Sequence, residues 1–284
     1  MFKALNVGTI GVKAGFIRAV ELAGQFGFEG VYFSPAEVIN IGIEKAKTHL
    51  ANYYARPAGF SFPVEFRKDE ETFRKSIAGL PPLAEAAAQI GCSRCSTWLP
   101  PASNELPFKE NFDLHRRRLG EAAKILARYN IRLGLEFVGP RTSRAGRKHE
   151  FIHTAAGMLE LCEAIGTGNV GLLLDCWHWY TSGGTTEDFE KWTNKTIVDV
   201  HVNDAPKGIP VEEQKDNVRC LPGETGVIDI KGFLRGLQSI GYDGPVVVEP
   251  FSDRVRKMND EDAVRVTKES LDKVWKIAGI PERK

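Results

Sequence analysis

The sequence predicts a single domain, a (β/α)₈ barrel running over residues 1–284. Three observations carry that prediction. Short apolar runs rich in Val, Ile, Leu and Phe alternate with longer amphipathic stretches, and the alternation repeats eight times. Regular strand–helix alternation of this kind argues for a parallel sheet. Some runs, such as Val170 to Leu174, are continuously apolar, as strands buried on both faces should be. Finally, 284 residues undivided by any Gly-, Ser- or Pro-rich linker fit eight such units in one closed barrel. An open doubly wound sheet would carry a Gly-rich phosphate loop after its first strand. The segment Gly8 to Val12 contains glycines but not that fingerprint.

Strands are expected at residues 5–8, 30–34, 59–66, 93–99, 132–138, 170–175, 197–202 and 245–249, each a short apolar run between polar or turn-forming residues. Helical patterns lie at about residues 14–27, 36–54, 70–90, 108–129, 153–165, 186–193, 231–240 and 261–277. Within the third, Pro81 and Pro82 should break the helix or start a new segment, because proline lacks the N–H and clashes with the preceding turn.

Composition is that of a globular chain with a full core, 42% hydrophobic and 26% charged. The 38 basic and 37 acidic residues leave a formal net charge of +1, so no strong field draws the chain to nucleic acid or to an anionic membrane. The first residues run straight into an apolar strand, without the h-region and cleavage site of a signal peptide. No apolar run is long enough to span a bilayer. Five cysteines, an odd number with several in apolar runs, suit reduced thiols in a cytoplasm better than a disulfide framework. Cys92 and Cys95 have no second pair, and residues three apart on a strand face opposite sides, so they read as core thiols rather than zinc ligands.

The fifth to eighth strands each end in a potential metal ligand. These are Glu136, Asp175, His201 and Glu249, each directly after apolar positions. The C-terminal strand ends form the rim on which barrels build active sites, and adjacent strands lie only about 4.8 Å apart. Four such side chains can therefore converge. A lone glutamate at a strand end is commonly the solvated start of a loop. Four groups in register resist that explanation, and apolar flanks make unpaired carboxylates costly to bury. Three carboxylates and one imidazole suit Mn²⁺, Mg²⁺ or Co²⁺, with Zn²⁺ also compatible.

His178 and Asp204 each follow a ligand by three residues. His178 is expected to point into the mouth and hydrogen-bond a substrate oxygen, a plain loop histidine being the alternative. Asp204 is expected to hold His201 in its metal-binding tautomer, with an ordinary loop carboxylate as the alternative. Arg219, in the turn-rich stretch 218–226, would clamp a substrate hydroxyl or carbonyl.

At these residues the chain resembles the xylose isomerase-like barrel superfamily of sugar and inositol isomerases and epimerases, most nearly its inosose isomerase and ketose 3-epimerase branch. The matching elements are Glu136-Phe-Val-Gly, Asp175-x-x-His178, His201-Val-Asn-Asp204, Arg219-x-x-Pro-Gly-Glu-x-Gly-x-Ile-Asp229 and Val248-Glu249. They lie in the second half; the first half matches by element order. The resemblance implies that Glu136, Asp175, His201 and Glu249 bind one divalent metal, often Mn²⁺. It implies that Glu136 and Glu249 form the catalytic proton-transfer pair, and that His178 and Arg219 contact substrate. A small-molecule polyol or sugar is the implied substrate, and barrels of this family often form dimers or tetramers. The N-terminal half departs from any such motif. There Phe60, Glu65, Phe66 and Trp98 would line the mouth. Arg141, Arg144 and Arg147, after the fifth strand, would meet a phosphate or carboxylate or else form a solvated basic loop.

The reaction so implied is isomerisation or epimerisation of a ketose, keto-inositol or related sugar, by proton abstraction beside a carbonyl through a metal-stabilised enediolate. A lyase, dehydratase or C-glycoside-cleaving enzyme would use the same carboxylates, and a non-catalytic sugar-binding barrel would keep the metal alone. The superfamily's three-zinc endonucleases need further histidines on earlier strands, and the segments around Tyr32, Val64 and Ser96 carry none.

Overall fold

The computed structural model describes residues 1–281. Eight parallel strands close into a barrel: β1 (Phe2–Leu5), β2 (Gly30–Tyr32), β3 (Arg56–Ser61), β4 (Arg94–Trp98), β5 (Arg132–Glu136), β6 (Val170–Asp175), β7 (Ile197–Val202) and β8 (Pro245–Val248). Neighbours in the barrel are neighbours in sequence, and β8 returns to pair with β1. Helices fill the connections on the outside. No helix among the described residues is long and apolar enough to cross a membrane.

Two strands lie earlier than the apolar runs indicate. β1 occupies Phe2–Leu5 rather than 5–8, because Lys3 interrupts the apolar reading although all four residues are buried. Its ammonium reaches Asp272 at 2.5 Å, so the charge is paired while the stem packs in the wall. β3 occupies Arg56–Ser61 rather than 59–66. Pro57 disguises it, yet proline is tolerated at the start of a strand.

The helical stretch expected at 36–54 is two helices, Pro35–Ile41 and Ile43–Asn52, divided at Gly42. That residue has φ of 90°, which a side chain would resist. The stretch at 70–90 is likewise two helices, Glu70–Ala78 and Leu80–Gln89. Pro81 and Pro82 sit in the first turn of the second, where a missing N–H costs nothing. Residues 186–193 hold only a 3₁₀ turn, Thr186–Glu190, closed by a reciprocal cap between Thr185 and Asp188. A helix over Cys176–Thr181 and a two-residue antiparallel pair, Ala102–Ser103 with His149–Glu150, are too short to show a period and went unforeseen.

Inside the barrel one polar group crosses the core. Asp199 of β7 is buried and accepts from Tyr32 Oη on β2 and from Ser96 Oγ on β4, the latter at 2.9 Å. The N–H of Val200 adds a third donor at 2.9 Å. Three donors offset the cost of a buried carboxylate, and the knot braces β2, β4 and β7 two residues below His201. All five cysteines are free, and three of them are buried. Burial pushes Cys92 up to about 12, the behaviour of an inert core thiol.

Candidate metal centre

β5 ends on Glu136 and β6 on Asp175, while His201 is the penultimate residue of β7. Glu249 follows β8 by one residue, and its N–H donates to Val202 O at 3.1 Å, so the ladder continues through it. Register places Asp175 opposite His201. One donor atom from each of Glu136, Asp175, His201 and Glu249 lies within 4.8 Å of the others.

Hydrogen bonding within this group is incomplete in an informative way. Both ring nitrogens of His201 and Oε1 of Glu136 are buried without a hydrogen-bond partner. His201 Nδ1 stands 3.4 Å from Glu249 Oε2 and 3.8 Å from Glu136 Oε1, ion-pair separations rather than hydrogen bonds. Buried polar atoms are ordinarily satisfied. An imidazole with both nitrogens unused, set among three carboxylates, has the donors a divalent cation requires. The residues present therefore fit a metal.

The electrostatics divide the carboxylates. Burial, then repulsion from Glu249, pushes Glu136 well above the usual carboxylate range. Burial acts the same way on Glu249, but His201 and Arg219 outweigh it and bring that group down to about 2. His201 is opposed by burial yet held up at about 10 by Glu249 and Glu136.

Arg219 is part of this cluster. Its Nη1 donates to Asp175 Oδ2 at 2.7 Å and to Glu249 Oε2 at 3.2 Å. Asp216 grips the other side of the guanidinium, with Oδ1 2.8 Å from Nη2 and its carbonyl oxygen 2.8 Å from Nε. The Phe251 ring lies 4.6 Å from Cζ. Phe251 has φ of 36°, an uncommon conformation for a side-chain-bearing residue and one that marks functional sites.

His178 stands on the helix Cys176–Thr181, which Asp175 caps by accepting from Trp177 N at 2.7 Å. Gly139 N donates to His178 Nδ1 at 3.2 Å, and Arg219 Nη2 stands 3.3 Å from Nε2 on the other edge of the ring. A Cβ at position 139 would meet His178 O at 2.4 Å, so this approach requires glycine. His178 Nε2 lies 4.0 Å from Glu136 Oε1 and 3.7 Å from Asp216 Oδ1. Burial, then Arg219, lowers its pKa and keeps the ring neutral.

Asp204 corrects the expectation made for it. It does not bond His201, whose nitrogens are both unpartnered. Its carboxylate instead gathers five backbone N–H groups, from Ala205, Thr225, Gly226, Val227 and Ile228, at 2.7–3.2 Å. Its own backbone pairs with Cys220. Asp204 therefore folds the loop that presents Arg219.

Asn203, which the sequence reading passed over, is buried and donates to Asp175 Oδ1 at 2.9 Å and to Glu249 O at 3.3 Å. The available signal was its position two residues beyond His201, on the same side of an extended chain. Phe60 and Phe66 do not line the mouth; both belong to the apolar core. Glu65 is exposed and Trp98 is half-exposed at the end of β4. Arg144 donates to Gly139 O at 2.8 Å and lies 3.8 Å from Glu150, whereas Arg141 and Arg147 are exposed. Beside the ends of β1 to β3 a cavity of about 310 Å³ opens, lined by Asn6, Tyr32, Phe33, Ser34 and Ser61 among others.

A rim of four convergent ligands on a closed parallel barrel defines a metal-site barrel protein, and the comparisons give its family. The chain belongs to the xylose isomerase-like TIM barrel family, whose model matches residues 16–274. It is 31% identical to the inosose isomerase of Halalkalibacterium halodurans over 153 residues, 54% of this chain and about half, 51%, of that protein. The xylose isomerase domain protein of Alicyclobacillus acidocaldarius superposes with a TM-score of 0.88 at 29% identity, covering 98% of this chain and 99% of that one. The IOLI protein, described with a binding zinc atom, superposes with a TM-score of 0.80 at 22% identity over 96% of this chain and 98% of that one, a likeness of fold.

Proposed function

We propose that this chain is a divalent-metal-dependent isomerase or epimerase of a ketose, keto-inositol or related sugar. The observation that carries the reading is the His201 ring, buried with both nitrogens unbonded between Glu136 and Glu249. Likeness to an inosose isomerase supports the substrate class. Glu136, Asp175, His201 and Glu249 would hold the cation, and a mostly oxygen donor set favours Mn²⁺. When bound, the cation would draw charge from a substrate carbonyl and ease loss of the neighbouring proton.

The protein groups divide the proton work. Glu136 and Glu249 flank the reacting carbon from neighbouring sides of the ligand cluster, one removing a proton and the other able to return one. His178 presents its Nε2 edge, beside Arg219, to a substrate hydroxyl, and Arg219 supplies positive charge where negative charge develops. Return of the proton to the opposite face epimerises, and return to the adjacent carbon isomerises. Free thiols throughout support work in a reducing cytoplasm.

The test is solvent deuterium incorporation into ketoses and keto-inositols by the Mn²⁺-loaded protein. Exchange without change of composition is the expected result. An unsaturated product would favour a lyase instead, and no exchange with any of these compounds would overturn the enolisation reading.

A further inference from the structure

The loop after β3 carries a cation that the metal centre does not use. Arg67 is half-buried, with its Cζ 4.2 Å from the Phe66 ring centroid and 4.5 Å from that of Trp98. Its Nη2 donates to Thr97 Oγ1 at 3.0 Å and to Trp98 O. Its Nε is buried with no acceptor. Among the described residues Arg67 has no ion-pair partner. Glu65, the acidic group whose field it feels, is exposed and lies beyond pairing distance. Burial accordingly pulls the guanidinium down to about 10. Arg94, Arg118, Arg144 and Arg219, also half-buried or buried, each have a carboxylate within 4.0 Å, whereas Arg132 shares the lack of one and bonds Lys195 O instead.

The loop is also rigid at this point. Arg118 Nη1 donates to Phe66 O at 3.0 Å and Lys68 O at 2.6 Å, bracketing Arg67 on both sides, while its Nη2 is fixed by Glu70 at 2.8 Å. Trp98 stands opposite Glu136 in the register of β4 and β5, so the two side chains leave the sheet on the same side, about one strand spacing of 4.8 Å apart. An immobilised guanidinium, partly dried and without an ion-pair partner among the described residues, thus stands on the Trp98 ring at the end of β4, the strand next to the one that carries Glu136.

We infer that Arg67, seated on Trp98, is a specificity-determining subsite for an anionic group of the substrate, a carboxylate or a phosphate remote from the reacting carbonyl. The inference rests on the enolisation reading for the location of the reacting carbons. Nη1 makes no protein hydrogen bond and is the donor left for such a group. An anion there gains a charge-assisted bond to a fork already fixed in place, so little side-chain entropy remains to be lost.

The experiment compares D-fructose, D-fructose 6-phosphate and D-fructuronate as substrates for deuterium incorporation, using Mn²⁺-loaded wild type, Arg67→Gln and Arg67→Lys. Glutamine retains a donor for Trp98 O and lysine retains the charge. The wild type should favour one of the two acid sugars, and which one identifies phosphate or carboxylate. Arg67→Gln should lower kcat/KM for that compound about tenfold to a hundredfold, mostly through KM, as loss of a hydrogen bond to a charged group does. D-Fructose should change less than twofold, and Arg67→Lys should recover part of the loss. Equal use of neutral and acid sugars by wild type, or an equal loss for all three in Arg67→Gln, overturns the inference and leaves Arg67 as a loop staple. Calorimetry with inorganic phosphate and with acetate separates the two readings. Anion binding that Arg67→Gln weakens, in a protein that exchanges no sugar, supports this subsite while sinking enolisation. Anion binding that the variant leaves unchanged overturns the subsite.

Discussion

At the ends of β5 to β8 stand Glu136, Asp175, His201 and Glu249, with Arg219 and His178 buried among them. The ends of β1 to β3 instead surround a cavity of about 310 Å³ with Asn6, Tyr32, Phe33 and Ser61, and the Glu37 carboxylate at its edge is spent on the N–H of Phe16 at 2.5 Å. One half of the rim concentrates charge, and the other supplies space and helix ends. Burying six ionisable groups together is tolerable only because each one sits within reach of an opposite charge or a cation. Damage to the first half should therefore appear in chemistry and metal affinity, and damage to the helix ends of the second in stability.

The largest effects follow from the proton-transfer pair. Glu136→Gln and Glu249→Gln keep shape and remove the carboxylate that takes or returns the proton, so kcat should fall about 10²–10⁴-fold, the usual worth of a general acid or base. Circular dichroism should show both variants folded. Near-wild-type turnover in either would remove that residue from the proposed pair.

Metal affinity should respond to pH in a defined direction. His201, raised to about 10, carries a proton at neutral pH that a cation must displace. Binding then releases that proton, and apparent affinity rises about tenfold per pH unit between pH 6 and pH 8, flattening toward 10. The raised Glu136 steepens the slope wherever it too is protonated. Titration calorimetry of Mn²⁺ in buffers of different ionisation enthalpy counts the protons. A pH-independent affinity would show that the imidazole is not a ligand.

The comparison also explains what could be read from the sequence. Each of the four convergent residues closes an apolar run, so identity and position are both local signals. β1 and β3 were displaced because Lys3 and Pro57 break their runs, although neither breaks the strand. Asp204 was assigned the wrong partner because its five N–H donors come from its own neighbour and from residues 225–228, which only the folded loop delivers. Arg67 was invisible for the same reason, being defined by a ring and a carbonyl about thirty residues away.

Asn203 tests how far the charged half extends beyond its ligands. It holds Asp175 Oδ1 and Glu249 O together, and groups that orient ligands typically cost about 10–100-fold in metal affinity when removed. Asn203→Ala should weaken Mn²⁺ by that factor, measured by calorimetry. Unchanged affinity would confine the centre to its four ligands.

The smallest effect belongs to the opposite half. Glu37 Oε2 accepts from Phe16 N at the start of the helix Phe16–Gln25, whose own N-cap, Gly15, has no side chain to do so. Glu37→Ala leaves that N–H without its partner, and losing a cap of this kind costs about 1 kcal/mol. For a chain of this size such a loss lowers Tm by about 2–4 °C. Because that bond fixes the start of an outer helix and reaches none of the four ligands, Mn²⁺ affinity should stay within twofold of wild type. Thermal melts of the metal-free and metal-loaded protein should then shift in parallel. A shift confined to the loaded form would mean that the neutral half of the rim takes part in holding the cation, and the division between the two halves would fail.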